Sequence, residues 1–396
     1  MYNDLSDRVN SIKPSPTLAV TALANQLRAE GRDVIGLGAG EPDFGTPEHI
    51  NQAAIEAIHK GKTRYTAVDG TVELKQAIID KFQRDNGLSY QPDQILVSSG
   101  GKQSFYNLCQ AVLNKGDEVI IPAPYWVSYP DMVLLAEGKP VIIETGIEDR
   151  FKVTAEKLEQ AITPRTAMVV LNSPSNPTGV AYSQQELSAI ADVLLKYPDI
   201  LVITDDMYEH IIWNDEGFVN ILNSCEELYD RCMVLNGVSK AYSMTGWRIG
   251  YAAGSPQIIK AMKKIQSQST SNPCSISQAA SVAALNGDQG CIQTMLKAFK
   301  ERHDFVVDRL NGIEHIQCTP SDGTFYSFPN IQSFIDSNDA MSNDVDVANH
   351  LLENAGVALV PGSAFGAEGY MRLSFATSME NLEKALDRID KVFSGK

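Results

Sequence analysis

Short apolar runs recur through the middle of the chain, separated by stretches in which apolar residues return every three or four positions. Ile95–Ser98, Glu118–Ile121, Val141–Glu144, Ala167–Leu171, Leu201–Thr204 and Met233-Val234-Leu235 are rich in Val, Ile and Leu and predict buried strands. Ser104–Leu113, Ala155–Ile162 and Ser183–Lys196 carry apolar positions at helical spacing and predict helices. Alternation of this kind predicts an α/β unit with a mostly parallel central sheet flanked by helices. Ligands of such sheets collect beyond the carboxyl ends of the strands, so the segments after Ser98, Leu171, Thr204 and Leu235 are where chemistry is expected.

The last hundred residues follow another rhythm. Helix-like stretches at Ile292–Asn311, Asp344–Ala355 and Glu380–Phe393 bracket strand-like segments at Gly323–Phe328, Val357–Val360 and Met371–Phe375. They predict a smaller α+β domain, residues 289–396, completed by an N-terminal segment, residues 1–44. The large domain then spans 45–288. No repeat, low-complexity tract or Pro/Ser-rich linker interrupts the chain.

At 396 residues there is enough chain for both domains and a large core. The 33 Lys and Arg against 49 Asp and Glu give a net charge of −16, which argues against nucleic-acid and anionic-membrane partners. Six scattered cysteines form no CxxC pair, and six dispersed histidines offer no metal-ligand spacing, so no metal is expected. The N-terminus lacks a basic start and an apolar core segment, and no apolar run approaches a membrane span. The expectation is a soluble, cytoplasmic protein.

Lys240 stands out among the charged residues. It follows a strand-like run and lies among small and apolar residues in Ser239-Lys240-Ala241-Tyr242-Ser243-Met244-Thr245-Gly246-Trp247-Arg248. Apolar surroundings disfavour the ammonium form, and a neutral amine can condense with an aldehyde; an ordinary surface lysine is the competing reading. Arg248 suits a phosphate on the same compound. Ser98-Ser99-Gly100-Gly101-Lys102-Gln103-Ser104 follows a strand and opens a helix, as in a phosphate cradle or a plain glycine turn, without the GxxxxGK[ST] spacing of a P-loop. Asn172-Ser173-Pro174-Ser175-Asn176-Pro177-Thr178-Gly179 is a constrained loop that would hold an amide such as Asn176 rigidly. Thr204-Asp205-Asp206-Met207-Tyr208-Glu209 places a carboxylate after a strand and a phenol three residues on, although two solvated aspartates on a turn read the same way. Gly36-Leu37-Gly38-Ala39-Gly40 has the spacing GxGxG and is followed by Glu41-Pro42, which excludes a dinucleotide fingerprint.

Together these groups supply a phosphate grip, an amine for an aldehyde, a carboxylate for a pyridinium and donors for a ring oxygen, which are the requirements of pyridoxal 5'-phosphate. The chain resembles the fold-type I, class I aminotransferases, and within them the subgroup Ib aspartate aminotransferases. The resemblance runs from Lys13-Pro14-Ser15-Pro16-Thr17 and Gly38-Ala39-Gly40-Glu41-Pro42-Asp43-Phe44 through Gly101-Lys102-Gln103, Tyr125-Trp126-Val127-Ser128-Tyr129-Pro130 and Ser239-Lys240 to Arg372-Leu373-Ser374-Phe375-Ala376-Thr377-Ser378.

The resemblance implies roles for individual residues. Lys240 would be the Schiff-base lysine, Asp205 the partner of the pyridine nitrogen, and Asn176 and Tyr208 donors to the phenolic oxygen. Trp126 would stack on the cofactor. Gly101, Lys102 and Arg248 would line the phosphate region, with Tyr65 reaching in from a second copy, so a homodimer with shared active sites is expected. Arg372 would clamp the substrate α-carboxylate, helped by Asn176 and the Gly40 backbone. Lys102, Ser15 and Thr17 would receive the distal carboxylate of an acidic substrate. The expected reaction moves the amino group of L-aspartate to 2-oxoglutarate by a ping-pong mechanism, with prephenate or aromatic amino-acid transamination as the alternative. A lyase, decarboxylase or racemase of the same fold is a rival reading, and a DNA-binding regulator is disfavoured because no basic helix-turn-helix precedes residue 13. One departure is Gly237, where many class I members carry serine three residues before the lysine.

Overall fold

The computed structural model describes residues 5–395. A seven-stranded sheet runs through its centre in the order Ile95–Ser98, Gly250–Ala253, Cys232–Gly237, Leu201–Asp205, Thr166–Asn172, Glu118–Ala123, Lys139–Glu144. All neighbours pair in parallel except Gly250–Ala253, which runs antiparallel to both of its partners. Successive residues of a strand point to opposite faces, and here both faces are buried. Leu96, Val119, Ile121, Met168, Val170, Ile203, Met233 and Leu235 pack on one side with Phe105, Leu108 and Met262 from the helices Gly101–Val112 and Pro256–Ser269. Val97, Ile120, Val169, Leu171, Val202 and Val234 pack on the other, against Ile50, Leu74, Leu158, Leu187 and Ala280 from five further helices. This is why the strand runs read as continuously apolar rather than alternating.

The helices begin where local chemistry satisfies their first amides. Ser183 accepts from the Glu186 amide while the Glu186 carboxylate returns to the Ser183 amide, so the helix is Gln184–Leu195. Thr154 caps Ala155–Ala161 in the same manner with one bond.

A second core joins the chain termini. Ile35–Gly36 pairs in parallel with Val357–Ala358, and Val360–Pro361, Met371–Ser374 and Tyr326–Ser327 form an antiparallel three-stranded sheet. Helices Gly290–Asn311, Asp344–His350 and Met379–Phe393 cover these strands through Phe299, Val306, Leu310, Val347, Leu382, Leu386 and Ile389. Phe44 meets Phe299 edge-on at 5.6 Å, tying the N-terminal segment to this core. No helix among the described residues is long and apolar enough to cross a membrane.

Several expected elements differ. The run Val357–Val360 is not one strand: it breaks at Leu359, and its halves join different sheets. Gly323–Phe328 shrinks to Tyr326–Ser327, because Thr324 adopts φ 68° and Gly323 lies against the Ile211 carbonyl, where a Cβ would stand 2.3 Å away. Helix Asp344–His350 widens into a π-helical turn at Leu351–Ala355 and stops at Gly356, φ 63°. The strand Gly250–Ala253 escapes a pattern-based reading because Gly-Tyr-Ala-Ala lacks branched residues; it forms where only glycine lets the Gly250 backbone lie on Gly101.

Phe299 is completely buried between Phe44, Phe325 and Phe375. Phe299→Ala is expected to cost about 3–5 kcal/mol, read as a lower midpoint in chemical denaturation. A change below about 1 kcal/mol, the size of an ordinary surface substitution, would contradict this account of the core.

Candidate active site

Two strands run one residue further than their apolar runs suggest. That extra residue is Asn172 in one and Asp205 in the other, and the two are register partners at the carboxyl edge of the sheet. Asp205 in turn pairs with Leu235 of the next strand, which leads through Gly237 to Lys240. The edge thus gathers an amide, a carboxylate and an amine from three separate segments.

They line one cavity of about 250 Å³. Thr17, Gly40, Gly101, Lys102, Trp126, Asn176, Tyr208, Arg248 and Arg372 line it as well. Of the residues expected from sequence, Ser15 and Tyr65 are outside this lining. The Ser15 hydroxyl is 2.9 Å from that of Thr17 and reaches the cavity only through it. Tyr65 is 91% exposed and borders a separate surface depression with Arg64, Thr71 and Ser275.

Burial lowers the Lys240 pKa to about 8; nearby Arg372 and Arg248 push the same way, and Glu41 opposes them. Its Nζ donates to the Gly40 carbonyl at 2.5 Å. Asp205 shows the mirror effect: burial raises its pKa, offset chiefly by a 2.5 Å hydrogen bond donated by Tyr129. Asp206 and Glu209 turn away from the cavity. Asp206 accepts from Asn220 at 2.6 Å, and Glu209 pairs with the fully buried Lys81 and accepts from Asn86 and Asn236 at 2.8 Å. The two aspartates therefore do not form a solvated turn. Asp85, Glu209 and His210 bring ligand-type atoms within 4.8 Å of one another, but Lys81, Arg84 and the two asparagines already engage these carboxylates.

Arg372 is 2% exposed and has no carboxylate partner among the described residues. One terminal nitrogen donates to Asn176 Oδ1 and the other to the Gly38 carbonyl, each at 2.8 Å, while Nε has no partner. Its guanidinium lies 4.4 Å from the Tyr326 ring centre and 5.0 Å from that of Phe365. Because Asn176 Oδ1 is taken by Arg372 and its backbone N–H by Asn172, the Asn176 amide NH2 is left to donate into the cavity. Tyr208 shares a 3.0 Å hydrogen bond with Tyr326. Lys102 forms no ion pair among the described residues; its amine lies 5.2 Å from the Trp126 ring.

Gly100, at φ 92°, precedes the helix Gly101–Val112, and a Cβ there would stand 2.3 Å from the Arg248 guanidinium. At Gly237 a Cβ would meet the Ile249 carbonyl at 3.0 Å and Gly250 Cα at 3.1 Å, so this chain packs backbone where relatives of the expected family place a serine.

Sequence reasoning assigned no role to three residues that shape the site: Asn172, Tyr129 and Tyr326. Asn172 opens the constrained loop and Tyr129 stands three residues after Trp126, so both carried a positional signal. Tyr326 carried none, since its strand is two residues long.

The Aminotransferase class I and II family model matches residues 32–389. The aspartate/prephenate aminotransferase of Nitrosomonas europaea is 62% identical over 395 residues, covering 98% of this chain and all of that one. That of Cereibacter sphaeroides is 53% identical, covering 99% of both. Among solved structures, the aspartate aminotransferase of Rhizobium meliloti superposes with a TM-score of 0.95 at 50% identity and 99% coverage of both chains. That of Thermus thermophilus with maleate does so with a TM-score of 0.93 at 43% identity, covering 98% of this chain and all of that one.

The lowered pKa makes a direct prediction. In cofactor-free protein, acylation of Lys240 by an amine-selective reagent is expected to rise through pH of about 8, ahead of the surface lysines. Peptide mapping that finds Lys240 titrating with the bulk lysines would refute the burial argument.

Proposed function

This chain belongs to the class I and II aminotransferases, and on that footing we propose that it exchanges amino groups between L-aspartate and 2-oxoglutarate using pyridoxal 5'-phosphate. One observation carries the substrate half: a buried arginine, with an unpartnered Nε and no carboxylate partner among the described residues, faces the same cavity as Lys240. An uncompensated buried guanidinium is costly, and a substrate carboxylate, bound bidentate, supplies the missing charge.

The residues fit the cofactor. Gly100 and Gly101 leave a cradle at a helix N-terminus, beside Arg248, that a Cβ would fill. Asp205 would give a carboxylate to the ring nitrogen, Asn176 and Tyr208 would donate to the ring oxygen, and Trp126 would supply a flat apolar surface; all four line the cavity. When bound, the cofactor supplies the aldehyde that holds the amino group and the electron sink that makes the α-proton acidic. Lys240 would hold the cofactor and, once free, would carry the proton between the substrate Cα and the cofactor carbon, as base and then acid; its lowered pKa suits it to both. Arg372 and Asn176 fix the α-carboxylate, and the buried rings of Tyr326 and Phe365 under Arg372 exclude water.

For the distal carboxylate we propose Lys102 with Thr17 and Ser15, the subgroup Ib arrangement. An ammonium and two hydroxyls tolerate more positions of the anion than a second arginine fork would. That tolerance, and the names of the Nitrosomonas and Cereibacter relatives, support prephenate as a second amino acceptor. The maleate of the Thermus structure, itself a dicarboxylate, supports the two-carboxylate reading. We propose further that two copies share their sites, with the partner subunit's Tyr65 completing the phosphate region; the exposure of Tyr65 and Val72 in the single chain supports this. The division into 45–288 and 1–44 with 289–396 is proposed as well, supported by the separate cores of the central sheet and of the terminal strands. The smaller part would close on the substrate, carrying Thr17 and the exposed Leu18 at the cavity mouth.

The purified protein is expected to show a visible absorbance band that aspartate shifts and 2-oxoglutarate restores, and borohydride is expected to fix the cofactor covalently in wild type but not in Lys240→Ala; absence of any band refutes the cofactor. Lys102→Ala is expected to lower kcat/KM for aspartate by about 10- to 100-fold, the value of a charge-assisted contact, and to spare alanine. An equal loss for both donors would remove Lys102 from the distal subsite. Small-angle scattering that is the same with and without maleate would rule out closure.

A further inference from the structure

Tyr129 has no place in the mechanism above, yet it makes the shortest contact to the Asp205 carboxylate. It lies in the second position of the helix Ser128–Leu135 and is 1% exposed. Its ring is 5.0 Å from that of Phe105 and stands edge-on to Trp126 at 5.2 Å. Its hydroxyl donates to Asp205 Oδ2 at 2.5 Å. Among the described residues it is the one side-chain donor to that carboxylate, the other contact being the Met207 amide to Oδ1 at 3.4 Å.

We propose that Tyr129 is a positioning residue for the transamination reaction, holding the Asp205 carboxylate ionised and oriented toward the cavity while its ring fixes the edge of Trp126. The inference rests on the functional reading above. A carboxylate has four lone-pair directions; Tyr129 and Met207 engage one on each oxygen and leave the cavity side for a ring nitrogen. The charged and titratable groups facing Asp205 are few. Lys240 favours its ionised form, the Asp205 charge in turn raises the pKa of neighbouring Asp206, and Tyr208 is engaged with Tyr326. The Tyr129 hydroxyl is the main group opposing the cost of burial, ahead of the Lys240 charge.

Without that hydroxyl, Asp205 takes up a proton more readily and gives less support to a protonated ring. The ring nitrogen is then expected to lose its proton at lower pH. A purely structural tyrosine would change stability and leave the ring nitrogen alone.

The test uses holoenzyme loaded with pyridoxal phosphate labelled with nitrogen-15 in the ring. Its nitrogen resonance is followed with pH in wild type, Tyr129→Phe and Tyr129→His. Phenylalanine keeps the packing and removes the donor; histidine is smaller but retains an N–H. The expected result is a protonated ring in wild type, a deprotonation moved to lower pH in Tyr129→Phe, and partial return in Tyr129→His. With aspartate, kcat in Tyr129→Phe is expected to fall about tenfold, the value of one hydrogen bond to a charged group, with KM little changed. A wild-type protonated signal that Tyr129→Phe leaves unmoved, or that both variants lose equally, overturns this inference alone. A wild type that binds no pyridoxal phosphate overturns the functional reading and this inference with it.

Discussion

The parallel pairing of Thr166–Asn172 with Leu201–Asp205 is the constraint on which the site depends. Strand register is set by burial of both faces: a one-residue slip would turn Val169 and Val202 from one core into the other. Holding register there fixes Asn172 beside Asp205, and the next pairing fixes Asp205 beside Leu235. Asn172 then donates to the Asp205 carbonyl and accepts from the Asn176 backbone N–H, so the residue whose side-chain oxygen meets Arg372 is positioned by the same pairing. Side chains far apart in sequence inherit their precision from a core that is apolar throughout.

The buried charges around the site are of two kinds. Glu209 is neutralised inside the protein by Lys81 and capped by two asparagines, with burial opposed chiefly by the Lys81 charge, so its carboxylate stays ionised. Arg372 and Lys240 have no anion at contact distance among the described residues. The first arrangement closes the structure behind the site; the second leaves an electrostatic demand that a dianionic substrate and a phosphorylated cofactor can meet. The net charge of −16 says nothing of this, because the cavity opposes the sign of the surface.

Glycine sets the approach of the backbone around that demand. Gly100 admits the Arg248 guanidinium, and Gly237 admits the Ile249–Gly250 backbone. The departure at Gly237 from the serine common in the family thus has a steric reason in this chain: the strand Gly250–Ala253 comes too close for a side chain to be accommodated freely.

Much was legible in the chain itself. Continuous apolar runs alternating with amphipathic stretches determined the parallel core, because a strand buried on both faces must be apolar at every position. Lys240 stood out as a charged residue in an apolar segment, Asn176 as an amide in a constrained loop and Asp205 as a carboxylate directly after a buried strand, whereas the role of Arg372 came only from the family resemblance. Local pattern could not decide where strands break or which chain-distant groups meet. Leu359 splits a run that reads as one strand, and Gly250–Ala253 exists only by lying on Gly101. Tyr129 and Asp205 are separated by 76 residues, and Tyr208 and Tyr326 by 118. Hydrogen bonds and ring contacts across such separations leave no periodic trace in sequence, since they are created by packing and not by the geometry of a single element.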